Sequence, residues 1–174
     1  MRFTALLIAI LITAGCASEG TTFTRSVLND PKSHLTRGKP VYIATPKNGW
    51  YENTEYPGSG RMTAANVRAA FARFSDHVVV SEQCQDLSCL KRTHTGSSNS
   101  YYVVPEILRW EGRNKNWSQQ PDVIEIKISV FEADSSKSRA SAILSGKNRN
   151  PLFSTDHPQE TLQDPVSRYV SSLY

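Results

Sequence analysis

The sequence predicts an α+β fold: a two-layer mixed sheet with helices on one face, in the element order βαβαβββα. Three observations predict it. Short β-branched runs alternate with segments of helical periodicity. Residues 124–130 alternate apolar and polar side chains, as an antiparallel strand with one solvated face does. The 174 residues are 39% hydrophobic and 21% charged, which fits one compact domain plus a short non-globular piece.

The first half of the domain alternates strands with helices. "VYIATP" at 41–46 predicts a strand, and "GWYENTEYPGSG" after it predicts a loop. An amphipathic helix follows from Met62 to Phe74, and "HVVVS" at 77–81 predicts a buried strand. A second, short helix is expected beyond that strand. The apolar face of the first helix consists of Val67, Ala70, Phe71 and Phe74.

The second half predicts three strands and a closing helix. "YYVVPEILRW" at 101–110 predicts a strand whose side-chain pattern changes at Pro105. Residues 124–130 and 138–146 form a hairpin around "EADSSKS". Pro165 fits the first turn of a final helix. We expect this helix to cover the sheet with Leu162, Val166, Tyr169, Val170 and Leu173.

The N-terminal segment resembles a bacterial lipoprotein signal. Arg2 precedes about a dozen apolar residues, the length of a secretory core rather than the ~20 needed to span a bilayer. Ala14 and Gly15 before Cys16 resemble a lipobox, in which cleavage follows Gly15 and the cysteine carries fatty acyl chains such as palmitate. The alternative is an ordinary signal peptide cut near Ala14 or Ala17.

These features divide the chain into a signal peptide (1–15), a lipidated flexible tether (16–39) and one periplasmic domain (40–174). The tether is predicted because residues 17–39 contain few large apolar side chains. Ala17 stands where lipoproteins retained at the inner membrane carry Asp, so the resemblance implies a periplasm-facing anchor in the outer membrane.

Two cysteines remain besides Cys16. An oxidising periplasm favours pairing Cys84 with Cys89 in "CQDLSC". Five residues of regular helix advance ~7.5 Å, beyond disulfide reach, so Cys84 is expected in the turn before the second helix. A redox pair or metal ligands are the alternatives, but the spacing is not C-x-x-C and no second Cys or His pair stands nearby. No metal or cofactor is predicted.

The stretch "PEILRWEGRNKNWSQQPD" is similar to a family of short, uncharacterised Gram-negative lipoproteins with a domain of unknown function. The element order also resembles the N-terminal domain of the Tol translocation protein, the curli-secretion lipoprotein and the lipoprotein activators of peptidoglycan synthases. This resemblance implies location and architecture but no activity. The matched residues are Pro105, Glu106, Trp110, Glu111, Arg113, Trp117 and Ser118.

Aromatic and charged residues in two loops are the candidate partner-binding surface, since such side chains anchor protein interfaces. The alternative is a loop folded over the sheet, with its indoles buried and Glu111 paired to Arg113. We expect a non-enzymatic protein that binds an envelope protein and the membrane. The scattered basic residues indicate no nucleic acid. The candidate residues are Trp50, Tyr51, Trp110, Glu111, Arg113 and Trp117.

The competing hypothesis is a small cell-wall hydrolase or a glycan-binding protein. Two carboxylates are the minimum for glycan hydrolysis, and histidines could act as bases. No motif orders a nucleophile, a base and an orienting group, so we predict that the protein is not an enzyme. The residues weighed are Glu106, Glu111, Asp122, His34, His77, His94 and His157.

Overall fold

The computed structural model describes residues 22–31, 33–95, 98–111, 123–147 and 162–174. In these ranges the chain is a mixed α+β fold, as predicted. The elements are β1 (Thr22–Asn29), β2 (Val41–Ala44), β3 (Trp50–Tyr51), β4 (Thr54–Glu55), α1 (Ser59–Phe71), β5 (Val78–Ser81), α2 (Leu87–Thr93), β6 (Tyr101–Glu111), β7 (Val123–Glu132), β8 (Ser138–Lys147) and α3 (Gln163–Leu173).

Six strands form one mixed sheet in the order β1-β8-β7-β6-β2-β5. The pairs β1–β8, β8–β7 and β7–β6 are antiparallel, whereas β2 is parallel to both β5 and β6. Pro105 lies in β6 beyond Val103, the last residue of β6 that pairs with β2. Its missing N–H therefore costs β6 no bond to β2.

Helices cover both faces of the sheet, so the predicted arrangement with helices on one face is not confirmed. The larger core joins α1 and α3 to the face that carries Ile43 and Val103. A smaller cluster joins Leu90 of α2 to Ala44 and Tyr102 on the opposite face. β2 and β6 are buried on both faces because alternate residues contact helices on opposite sides, as in parallel sheets.

The structure differs from the predicted element order at two places, where it contains strands that the sequence does not predict. β3 and β4 form a separate two-stranded sheet inside the segment predicted as a loop. β1 lies inside residues 16–39, predicted as a flexible tether, and pairs with β8 from Thr22 opposite Lys147. Leu35, also in that segment, is buried in the larger core, and its N–H donates to the carbonyl of Leu173 at 2.7 Å. Backbone pairing holds β1 without a large apolar surface.

A β-bulge in β6 decides which side chains enter the core. Tyr101, Val103 and Ile107 face the larger core, and strict alternation would send Arg109 after them. The register shifts between Ile107 and Arg109, which inserts one extra residue and reverses the alternation. Trp110 therefore enters the core, where it is only 1% exposed.

Candidate functional site

The most exposed large apolar side chain in the described part of the chain belongs to the β3–β4 hairpin. Trp50 is 59% exposed, and the neighbouring Tyr51 is half-buried. Trp50 pairs with Glu55, and Tyr51 pairs with Thr54. The turn between the strands places Glu52 in the left-handed region at φ 52°. We call Trp50 and Tyr51 the hairpin patch.

One asparagine and one serine fix the base of this hairpin to the start of α1. Asn48 Oδ1 accepts bonds from the N–H groups of Gly58 (3.2 Å) and Gly60 (3.1 Å), and its Nδ2 donates to Glu55 Oε1 at 2.8 Å. Ser59 Oγ accepts the Gly49 N–H at 2.8 Å. Both ends of the hairpin are thus bonded to a helix that packs in the core.

Gly49 brings the hairpin into direct contact with β6. A Cβ atom at this position would lie 2.5 Å from Trp110 Cβ and 3.2 Å from Ile107 Cγ2. Only glycine permits so close an approach. In the same part of β6, Leu108 is 47% exposed, which adds an apolar side chain beside the bulge.

The structure separates the predicted binding residues. Trp50 and Tyr51 lie together at the surface. Trp110 is buried, so its indole fills the core instead of a partner's pocket, because the bulge turns it inward. Glu111 is also buried, at 8% exposure, and accepts a bond from Arg109 Nε at 2.5 Å; the alternative in which it pairs with Arg113 involves a residue outside the described ranges. Arg113, Trp117, Gly15 and Cys16 lie outside the described residues.

A half-open crevice of about 370 Å³ lies beside the hairpin base, beyond the carboxyl end of β2. Lys47, Asp86 and Glu106 contribute the charged groups of its wall. Hydrogen bonds from Ser88 and from the Cys89 N–H hold the pKa of Asp86 below its usual value. Glu106 accepts a bond from Lys127 Nζ at 2.8 Å.

The predicted disulfide is confirmed. Cys84 and Cys89 are bonded, with their Cα atoms 5.3 Å apart. Cys84 precedes α2 and Cys89 lies within it, as the helix geometry required. Asp86 caps α2 by accepting the Cys89 N–H at 2.8 Å. The bridge therefore fixes the start of α2 next to the end of β5.

Sequence reasoning missed a serine–histidine contact on the α2 side. Ser81 Oγ lies 2.7 Å from His94 Nε2, and the imidazole stacks on Tyr42 with ring centroids 4.0 Å apart. Burial, and secondarily the nearby His77, lowers the pKa of His94. The two residues are thirteen apart in sequence and belong to different elements, so no local motif marks them.

This pair lacks the third member of a catalytic triad in the described ranges, where no acidic side chain bonds His94. Ser81 itself is only 5% exposed. Within the same ranges, no group of three or more His, Cys, Asp or Glu is placed to hold a metal ion. Asp122 and His157, weighed as catalytic candidates, lie outside them.

None of the helices in the described ranges is long and apolar enough to cross a membrane. No curated protein gives a significant match to the sequence.

Several solved structures resemble the chain. The PelC dodecamer from Paraburkholderia phytofirmans matches with a TM-score of 0.64 at 15% identity, over 88% of this chain and 96% of that chain. Protein XCC0632 from Xanthomonas campestris matches with a TM-score of 0.49 at 14% identity, over 83% and 93%. Lipoprotein GNA1162 from Neisseria meningitidis matches with a TM-score of 0.47 at 10% identity, over 76% and 99%. At this identity the PelC likeness shows a shared fold alone.

The sequence also matches one family model, that of a domain of unknown function, DUF4823, over residues 33–173. The match spans the sheet from β2 to β8, all three helices and the hairpin patch. The chain belongs to the DUF4823 family.

Proposed function

We propose that this protein is a periplasmic lipoprotein, anchored in the outer membrane through acylated Cys16, whose domain binds an envelope protein without catalysing a reaction. The apolar segment before Cys16 and the small residues beside it support the anchor. The predicted topological likeness to the Tol translocation protein and to peptidoglycan-synthase activators belongs to the same proposal.

The observation that carries the binding proposal is the exposure of Trp50 on a rigid support. Trp50 is 59% exposed. The preceding residue, Gly49, is bonded to Ser59 of α1 and packs directly against Trp110. Exposed tryptophans on fixed backbone supply large contact areas at a small entropic cost. Tyr51, which is half-buried, adjoins it in β3. Such an arrangement suits a protein partner with a pocket for the indole.

The carboxylates support the absence of catalysis. Glu106 bonds Lys127 and Glu111 bonds Arg109, so both described carboxylates among the three weighed for catalysis form an ion pair with a neighbouring cation. Carboxylates bonded to neighbouring cations in this way are typical of structural ion pairs.

Co-purification tests the binding proposal. The protein is recovered with its neighbours from crosslinked cell envelopes, as wild type, as Trp50→Ala, and as Leu28→Ala. Leu28 is a matched control because it is 55% exposed on β1, in the other sheet. One specific protein should be lost with Trp50→Ala and retained with Leu28→Ala. Equal recovery in all three would contradict the proposal.

Two further measurements test the remaining parts. Intact-mass analysis of native protein should show acyl chains on Cys16, and Cys16→Ser should release the protein from membranes. An unmodified thiol on native protein would overturn the anchor. Turnover of muropeptides by the wild type that Glu106→Gln abolishes would instead establish the hydrolase alternative.

A further inference from the structure

The surface formed by α1, α3 and the turn after α1 carries four arginines, and we call it the helical face. Arg61, Arg68 and Arg168 are exposed on the two helices, and Arg73 is exposed just beyond α1. The acidic residues of these segments are Asp76 and Asp164. The four guanidinium groups therefore outnumber the carboxylates of the same surface.

None of these four arginines forms an ion pair with any described residue. Arg68 Nε donates to the Val78 carbonyl at 3.4 Å, and Arg73 donates to Ser167 Oγ at 3.5 Å. Arg61 and Arg68 are seven residues apart, so they lie on one stripe of the helix about 10 Å apart. Ala65 is exposed between them, and its side chain is too small to cover either guanidinium group.

The opposite face of the sheet has a different charge pattern. Two cations of its strands β6 and β7 are bonded to carboxylates: Lys127 to Glu106 at 2.8 Å, and Arg109 to Glu111 at 2.5 Å. Arg139 at the edge bonds Glu132, also at 2.8 Å. Charges paired in this way project little net field, whereas the arginines of the helical face, which pair with no described carboxylate, project a positive one. The four arginines of the helical face thus form a basic surface.

β1 places the anchored end of the chain next to this face. Arg25 of β1 lies over the Tyr169 ring of α3, 5.0 Å from its centroid, and donates to Ser172 Oγ at 3.0 Å. Only six residue steps separate Cys16 from Thr22, where β1 begins. Fully extended, six residues span at most about 22 Å. An anchor at Cys16 would therefore hold the sheet edge and the helical face close to the bilayer.

We propose that the helical face docks onto anionic phospholipid headgroups of the membrane in which Cys16 is anchored. This rests on the proposed lipid anchor. Each basic side chain held near an anionic surface adds favourable energy within a Debye length, about 8 Å at physiological salt. The acyl chains supply the anchoring, and the arginines supply the orientation. The α2 side, on the opposite face of the sheet, then faces away from the bilayer.

Vesicle binding tests this docking without the anchor. The mature chain from residue 16, carrying Cys16→Ser, is sedimented with vesicles of phosphatidylglycerol and phosphatidylethanolamine, and with pure phosphatidylcholine vesicles. Binding should occur only with phosphatidylglycerol and should disappear at ~1 M salt, where the Debye length is ~3 Å. Because acylation is absent from this protein, the result is independent of whether Cys16 is lipidated in cells.

A charge-matched pair of variants locates the surface. Arg61→Gln/Arg68→Gln/Arg73→Gln should weaken binding about fivefold per residue, or roughly 100-fold together. The control Lys47→Gln/Arg92→Gln/Lys137→Gln removes three exposed positive charges elsewhere. It should change binding by less than about threefold, since its side chains lie away from the docked surface. Thermal melts establish that both variants remain folded.

Three outcomes would overturn the proposal. Equal binding of the wild type to both kinds of vesicle would exclude charge recognition. Equal losses in the two triple variants would show that net charge alone acts. Binding to single-stranded DNA without binding to phosphatidylglycerol would assign the face to another class of ligand.

Discussion

Gly49→Ala adds one methyl group where the hairpin contacts β6, so it tests how the hairpin is held. Gly49→Ala places a Cβ atom 2.5 Å from Trp110 Cβ and 2.8 Å from Trp110 Cγ. Carbon atoms pack at about 3.5–4.0 Å, so the two strands must separate by about 1 Å. Trp110 is buried and its Cβ is fixed to the backbone of β6, so a rotamer change cannot relieve the contact. Overpacking of this kind costs about 1–3 kcal/mol.

For a chain of this size, that cost corresponds to a Tm about 2–12 °C lower. Urea denaturation followed by tryptophan fluorescence measures the loss and reports the hairpin at the same time, since Trp50 lies on β3. Asn53→Ala, exposed at the turn of the same hairpin, is the control and should leave the midpoint unchanged. Gly49→Ala should also weaken partner recovery although Trp50 is intact. A Gly49→Ala protein with wild-type stability and fluorescence would refute this account of the packing.

Three more predictions concern the disulfide and two titrating groups. Reducing Cys84–Cys89, with a sequence separation of 5, should cost about 2 kcal/mol, measured as a lower Tm with a phosphine reductant. His94 has a lowered pKa, so the unfolded chain binds more protons and stability should fall as pH drops below the ordinary value of 6.5. His94→Gln should flatten that slope in urea titrations. Burial raises the pKa of Tyr169 to about 12, so stability should fall as pH rises above 10. Tyr169→Phe should reduce this loss without lowering stability at neutral pH, because the hydroxyl has no hydrogen-bond partner among described residues; burial also raises the pKa values of Tyr102 and Tyr174, so part of the loss should remain.

The elements that the sequence predicts well are those that bury a regular apolar face. α3 buries Leu162, Val166, Tyr169, Val170 and Leu173, all of which were predicted. The β7–β8 hairpin turns within the predicted segment, between Glu132 and Ser138. These patterns are local, because the period of the apolar residues identifies both the element and its inward face.

The features that the sequence does not predict depend on distant contacts. β1 is held by backbone bonds to β8, which leave no apolar signature. The burial of Trp110 depends on one extra residue in β6, and a shift of one residue exchanges the two faces of a strand. The sequence alone does not show that Trp50 is exposed and Trp110 is buried. The bulge between Ile107 and Arg109 is what turns Trp110 into the core.

The position of β1 at the sheet edge has a mechanical consequence. This strand pairs with one neighbour alone, and most of its residues are exposed, whereas β2 is enclosed by two strands and by helices on both faces. A force on the amino-terminal end would therefore separate β1 from β8, beginning at Thr22, before the central strands of the sheet separate. Each freed residue adds up to about 3.3–3.6 Å of chain. Peeling of this one strand would thus lengthen the amino-terminal connection by up to about 26 Å and let the still-folded body move farther from its point of attachment.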